Sequence, residues 1–203
     1  MAVPILRSVC SLFFDKRYLR GKHFDESAIG WRWAARSILW QRVLGFNREA
    51  RYPVSPLIGI DEPANIQFDV DDLTMFQSWG SYFSNSYGGR IVIGKGTWIA
   101  PNVGLITTNH MLLDPARHEV PRDIHIGANC WIGMNAVILP GVDLGEHTVV
   151  GAGAVVTHSF PNGWCVLAGV PARQIRDLAA WEADGLADNS IKLEAGGRAP
   201  VDS

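Results

Sequence analysis

Between Ile93 and Phe160 an aliphatic side chain returns at nearly every sixth position, and Gly, Asn and Pro fill many of the places between. The marked positions are Ile93, Ile99, Leu105, Ile126, Ile132, Ile138, Leu144, Val150 and Val156, in the text IGKGTW, IAPNVG, IGANCW, IGMNAV, ILPGVD, LGEHTV and VGAGAV. A helix repeats about every 3.6 residues and a half-buried strand every two, and neither is punctuated by turn formers this regularly. The pattern therefore predicts short strands joined by turns and wound into a coil. Four places after seven of these aliphatics stand Thr97, Val103, Cys130, Ala136, Val142, Thr148 and Ala154, small enough to share an interior with the larger side chains. If three hexads complete one coil, Ile126 stacks under Leu144, Ile132 under Val150 and Ile138 under Val156, with coils about 4.8 Å apart. The expected fold is an all-β core built as a parallel β-helix.

The phase of the repeat breaks once. From Leu105 to Ile126 the step is 21 residues, three more than a multiple of six, and the text there has lost the pattern. A segment must leave the coil, and the expectation is an ejected loop over residues 107–123. A loop carried by a rigid repeat is a favoured place for function.

The stretch 91–176, above all IGANCWIGMNAVILPGVDLGEHTVVGAGAVVTHSF followed by AGVPARQIR, resembles the hexapeptide-repeat acyltransferases. Within them it is most similar to the maltose, galactoside and nodulation-type O-acetyltransferases and their polysaccharide-modifying relatives. The resemblance implies a left-handed coil of triangular section, a homotrimer with active sites between subunits, and acetyl-CoA as co-substrate. Spacing does not give the hand, since parallel crossovers are otherwise almost always right-handed. The organisation expected is a helical N-terminal segment over residues 1–52, the β-helix domain over 53–176, and a short C-terminal helix with a mobile tail over 177–203.

Outside the repeat, Ser27 is placed to cap a helix running to Gly45, with Ile29, Trp33, Trp40 and Leu44 as its apolar stripe. Trp31, Trp33 and Trp40 read either as packing residues or as a surface for sugar or membrane. Residues 52–63 read as a Pro-containing connector, residues 64–90 as irregular early coils, and a short helix is expected near 177–186.

Net charge is −2, which argues against a nucleic-acid binder, but residues 1–52 hold ten Lys or Arg against four Asp or Glu. That excess permits peripheral contact with anionic lipid or an anionic polymer, or is a solvated helix face. No stretch approaches the ~18 apolar residues of a membrane span. Cys10, Cys130 and Cys165 are odd in number and lack a CxxC spacing, which fits a reducing cytoplasm.

His110 closes the hexad LITTNH at the mouth of the ejected loop, and its spacing from Gly94 matches the family's catalytic histidine. The chemistry needs such a group. A sugar hydroxyl is a poor nucleophile, and an imidazole, titrating near ~6.5 in model compounds, can take its proton and later return it to the CoA thiolate. The resemblance further implies acceptor contacts at Asn85, which binds the acceptor or orders the site, and at His118, the second candidate base. For acetyl-CoA it implies Met134 and Ala152 along the pantetheine arm, Thr157 and His158 where the family often has Thr-Lys, and Arg173 and Arg176 for phosphate. His125 and His147 fall at outward positions.

Cys130 occupies an inward position, so direct transfer is preferred to an acetyl-cysteine route. No phosphate-binding GxxxxGK[ST] or dinucleotide GxGxxG is present. No metal is expected, because His110, His118 and His125 lack the repeat-spaced pairing of the γ-type carbonic anhydrases. A non-catalytic scaffold leaves His110 and the loop unexplained. The expected activity is acetyl transfer to a carbohydrate hydroxyl, with serine or a chloramphenicol-type antibiotic as other acceptors.

Overall fold

Residues 2–183 are described in a computed structural model, and the tail expected beyond them lies outside the described residues. The chain winds through three parallel sheets in fixed order. The first face stacks Gly59–Ile60, Tyr82–Ser84, Gly104–Ile106, Val137–Ile138 and Val155–Val156, and the second stacks Ile66–Gln67, Ile91–Ile93, Ile124–Ile126 and Asp143–Leu144. The third holds Trp98–Ile99, Trp131–Ile132, Thr148–Val150 and Cys165–Gly169, the last paired with an antiparallel return strand, Ala172–Asp177. In the earliest coil a 3-10 segment, Val70–Gln77, stands where the third face would be.

The registers are those the hexads predict. Leu144 pairs with Ile126, Val150 with Ile132 and Val156 with Ile138. All nine marked aliphatics and all seven smaller residues four places on are buried. Each aliphatic contributes roughly 1.5–3 kcal/mol on leaving water, so the column is the main stabilising element of the coil. Its few polar members are paired: the Thr97 hydroxyl donates to the Gly127 carbonyl at 2.7 Å and accepts from the Cys130 amide at 3.1 Å.

The glycine that follows so many of the aliphatics has a steric cause. A Cβ on Gly127 would stand 2.5 Å from the Glu146 nitrogen of the next coil, too close for any side chain. Gly127→Ala is expected to lower stability by about 1–3 kcal/mol, the usual cost of forcing extra atoms into a packed interior, read as a lower thermal midpoint with unchanged strand content.

A coil needs its ends covered. At the start, helix α1 (Ala2–Phe13) and helix α2 (Ile29–Ser37), continued by a π-helical turn Ile38–Val43, pack Cys10, Phe14, Phe24, Trp31 and Ala34 into the same core. Aromatic contacts carry that packing into the coil: Tyr18 stacks on Phe68 at 5.6 Å, Tyr52 meets Phe76 at 4.9 Å and Phe76 meets Phe83 at 5.2 Å. At the far end the return strand leads into helix α3 (Leu178–Ala183).

Four expectations are corrected. The connector at 52–63 is core: Tyr52, Val54 and Ile58 are buried and Gly59–Ile60 is the first strand. The early coils keep two regular faces, because Ile66 and Phe83 still point inward although the hexad spelling is gone. The stripe of α2 is also rotated. Ile29 and Leu44 are exposed, and the buried face is Trp31, Ala34, Ser37 and Gln41. Ser27 accepts from the Ile29 amide at 3.0 Å, but Ala28, not Ser27, stands at the cap position of the helix. Trp31 donates to the Phe24 carbonyl at 2.9 Å, so among the three tryptophans it belongs to the packing. No helix among the described residues is long and apolar enough to cross a membrane.

Candidate active site

The segment that leaves the coil is not irregular. It forms an antiparallel hairpin, His110–Met111 against Asp114–His118, with His110 opposite His118. Its base is tied where it departs from the first face. The Glu119 amide donates to the Asn109 carbonyl at 2.8 Å, the Thr108 hydroxyl to the Glu119 carbonyl at 2.9 Å, and the Arg122 amide to the Thr107 carbonyl at 2.8 Å. The hairpin stands at the corner between the first and second faces, and its tip presents Leu112 and Leu113, 93% and 100% exposed.

His110 is held by its own hairpin. Nδ1 lies 2.6 Å from the Pro115 carbonyl oxygen, which can only accept, so Nδ1 carries a hydrogen, and in the neutral ring the lone pair is then on Nε2. The His118 ring packs on His110 with centroids 4.3 Å apart, and Tyr87 packs on His118 at 4.5 Å, its hydroxyl 3.5 Å from His118 Nε2. Sequence reading singled out both histidines but not what orients them.

These rings line a cavity of about 430 Å³ with Asp61, Tyr82, Ser84 and Ser86. Asp61 is its polar centre. Oδ1 accepts from the Tyr82 hydroxyl at 2.8 Å, and Oδ2 accepts from Ser86 at 2.7 Å and Ser84 at 3.2 Å. Burial, and then the bond to Asp61, push the Tyr82 phenol up, so it stays a donor. In the sequence this set is marked only by the alternation of Tyr82 and Ser84, outward, around the inward Phe83.

Asn85 is fully buried, with Oδ1 accepting from the Glu62 amide at 3.0 Å and Nδ2 donating to the Glu62 carbonyl at 2.8 Å. Both ends of its amide hold the turn that follows Asp61.

The residues expected to meet acetyl-CoA fall elsewhere. Met134 and Ala152 occupy successive coils at the corner between the third and first faces, where the Gly153 amide donates to the Met134 carbonyl at 2.8 Å. Thr157 and His158, joined at 2.7 Å, lie on the same corner as His110 but two coils further on, about 10 Å along the axis. Arg173 and Arg176 are on the return strand at the third face, Arg176 opposite Val166 and Arg173 donating to the Ala172 carbonyl at 2.9 Å. One chain therefore brings His110, His118 and the Asp61 cluster together but sets Met134 and Ala152 on a different edge of the prism.

The cysteines are removed from all of this. Cys10, Cys130 and Cys165 are buried, and burial pushes each thiol up, away from the thiolate a nucleophile requires. Among the described residues no three His, Cys, Asp or Glu side chains converge as a metal-holding group.

Comparison with known proteins agrees with this architecture. Residues 123–158 match the bacterial transferase hexapeptide (six repeats) family. A Dictyostelium discoideum protein named for acetyltransferase activity is 37% identical over 147 residues, covering 70% of this chain and 73% of that one. This chain belongs to the hexapeptide-repeat acetyltransferases. The Escherichia coli K12 galactoside O-acetyltransferase is 43% identical over 95 residues, but the match spans only 43% of this acetyltransferase and 44% of the galactoside enzyme. A galactoside acetyltransferase structure in complex with coenzyme A superposes with a TM-score of 0.54 at 24% identity, over 89% of this chain and 84% of that one. A hexapeptide-repeat acetyltransferase from Vibrio cholerae gives 0.53 at 23%, over 88% and 93%. The coil of this family member is the left-handed β-helix, as the resemblance implied.

Proposed function

We propose that this protein moves an acetyl group from acetyl-CoA to a hydroxyl of a sugar or polysaccharide, with His110 as general base. The observation that carries the reading is the 2.6 Å contact between His110 Nδ1 and the Pro115 carbonyl, which leaves Nε2 as acceptor at a cavity lined by hydroxyls and the Asp61 carboxylate. Bound acetyl-CoA supplies an activated acetyl thioester. His110 Nε2 takes the acceptor's hydroxyl proton as that oxygen bonds to the acetyl carbon, and returns it to the sulfur as the carbon–sulfur bond breaks. Asp61, Ser84 and Ser86 hold the acceptor by its hydroxyls, and His118 with Tyr87 keeps the His110 ring in place. A carboxylate among hydroxyls suits a polyol better than it suits an apolar antibiotic.

The two-edge distribution of the site supports a homotrimer with each site shared between subunits. The exposed leucines of the hairpin tip are then covered by a second copy, whose Met134 and Ala152 corner lies beside His110 and holds the pantetheine arm. Thr157, His158, Arg173 and Arg176 hold the phosphates of the nucleotide end. Three buried, unpaired cysteines support a cytoplasmic location. The test is thiol release from acetyl-CoA with oligosaccharides, nucleotide sugars, serine and chloramphenicol. Oligosaccharides or nucleotide sugars are expected to raise the rate well above the acceptor-free background; stimulation by serine or chloramphenicol alone would overturn the carbohydrate reading.

A further inference from the structure

We infer that the helical N-terminal unit docks on a bilayer surface containing anionic lipid, with Leu12 and Phe13 entering the interface and flanking cations meeting headgroup phosphates. The inference deepens the basic excess of residues 1–52 into a site, and it does not rest on the acetyl-transfer reading.

The first observation is the division of α1. Cys10, and Phe14 just past the helix end, are buried against the core, whereas Val9, Leu12 and Phe13, a stripe at helical spacing, are 41%, 82% and 40% exposed. Leu12 is the most exposed large apolar side chain among the described side chains of the N-terminal unit. The second observation is what surrounds the stripe. Leu12 borders two hollows at once. One, of about 600 Å³, is lined by Arg7, Lys16 and Arg20 with a single carboxylate, Asp25. The other, of about 370 Å³, is shared with Phe13 and lined by Arg42, Arg48 and Arg51, with Asp15 and Glu49. Six cations thus stand around one apolar ridge against three acids, five of them turned to solvent and the sixth, Arg42, held by the Phe13, Arg48 and Ala50 carbonyls. Arg7 reaches Asp25 at 3.5 Å, while Lys16 and Arg20 are exposed and have no carboxylate partner among the described residues.

An apolar ridge between cationic hollows is the arrangement of a helix lying in a membrane interface, where the ridge enters the acyl boundary and the cations stay with phosphate. The charge decides between occupants. A soluble polyanion would satisfy the cations and leave Leu12 in water. A second copy meeting this face symmetrically would set six cations against six. Only a bilayer offers negative charge at the rim and hydrocarbon in the middle.

Flotation of the full chain with phosphatidylcholine vesicles, with and without phosphatidylglycerol, tests this. Binding is expected with the mixed vesicles, at least tenfold weaker with phosphatidylcholine alone, and weaker as salt rises. Lys16→Ala and Arg20→Ala are each expected to lower the partition about fivefold, and Leu12→Ser roughly tenfold or more. Because Leu12 is exposed, its variant keeps the wild-type circular dichroism, and His110→Ala protein floats like wild type. Absence of binding to mixed vesicles, or equal binding by Leu12→Ser, overturns the inference. So does loss of subunits in the Leu12→Ser protein on gel filtration, which assigns the ridge to a second copy. Binding to soluble dextran sulfate that survives Leu12→Ser, without vesicle binding, assigns the face to a polymer and overturns it equally.

Discussion

His110→Ala should lower kcat/KM for acetyl transfer by about 10²–10⁴, the usual contribution of a positioned general base, while acetyl-CoA binding and the thermal midpoint stay close to wild type. The separation follows from geometry. His110 is exposed, its ring meets His118 at 4.3 Å, and its one polar bond is to a carbonyl within its own hairpin. Removing it leaves no buried group unpaired. Cys130→Ala is the matching control and is expected to keep most activity, because that thiol sits inside the coil, 3.3 Å from the Gly145 carbonyl and 3.6 Å from the Ala128 carbonyl. The two variants are compared by thiol release from acetyl-CoA with the acceptor that gives the highest rate. Loss of activity in Cys130→Ala with retention in His110→Ala would move the chemistry to a covalent route.

How far the site could be read in the sequence follows from how each part is built. The loop that carries His110 was legible because a break in a strict period marks the place where the chain leaves the coil, whereas the choice of that histidine rested on the family resemblance. The Pro115 carbonyl was not, since an orienting bond to a backbone oxygen carries no residue identity; any residue at position 115 presents the same acceptor. Asp61 was missed for another reason. It lies in the earliest coil, where the third face is replaced by Val70–Gln77 and the hexad spelling is lost, so the outward phase of Tyr82 and Ser84 has no repeat to anchor it. The core shows the same contrast. From Ile93 onward each coil repeats the register of the one before, and side-chain size alone names the inward positions. In the N-terminal unit, the buried face of α2 is set by what docks on it, and helical spacing allowed a stripe rotated away from that face.

Gln41 makes the point quantitatively, and Gln41→Leu is expected to destabilise the protein by about 3 kcal/mol although leucine is apolar and of similar size. The side chain is fully buried. Its Nε2 lies 3.2 Å from the Asn47 carbonyl and 3.2 Å from the Tyr52 carbonyl, and its Oε1 accepts from the Val54 amide at 2.9 Å. These three backbone groups belong to the segment that leads from the helical unit into the first strand; the Tyr52 carbonyl and the Val54 amide are buried with this amide as partner, while the half-buried Asn47 carbonyl also accepts from the Ala50 amide. Leucine would fill the space and leave the Tyr52 carbonyl and the Val54 amide unpaired. An orphaned buried group costs about 1–3 kcal/mol, and relaxation toward water recovers part of the sum. Guanidinium unfolding should show the lower midpoint, and Gln41→Glu should fall further, because a carboxylate facing two carbonyls must either be protonated or repel them. A Gln41→Leu protein as stable as wild type would mean that this linker finds other partners, and the helical unit would then be a loosely attached cover instead of a built-in end of the coil.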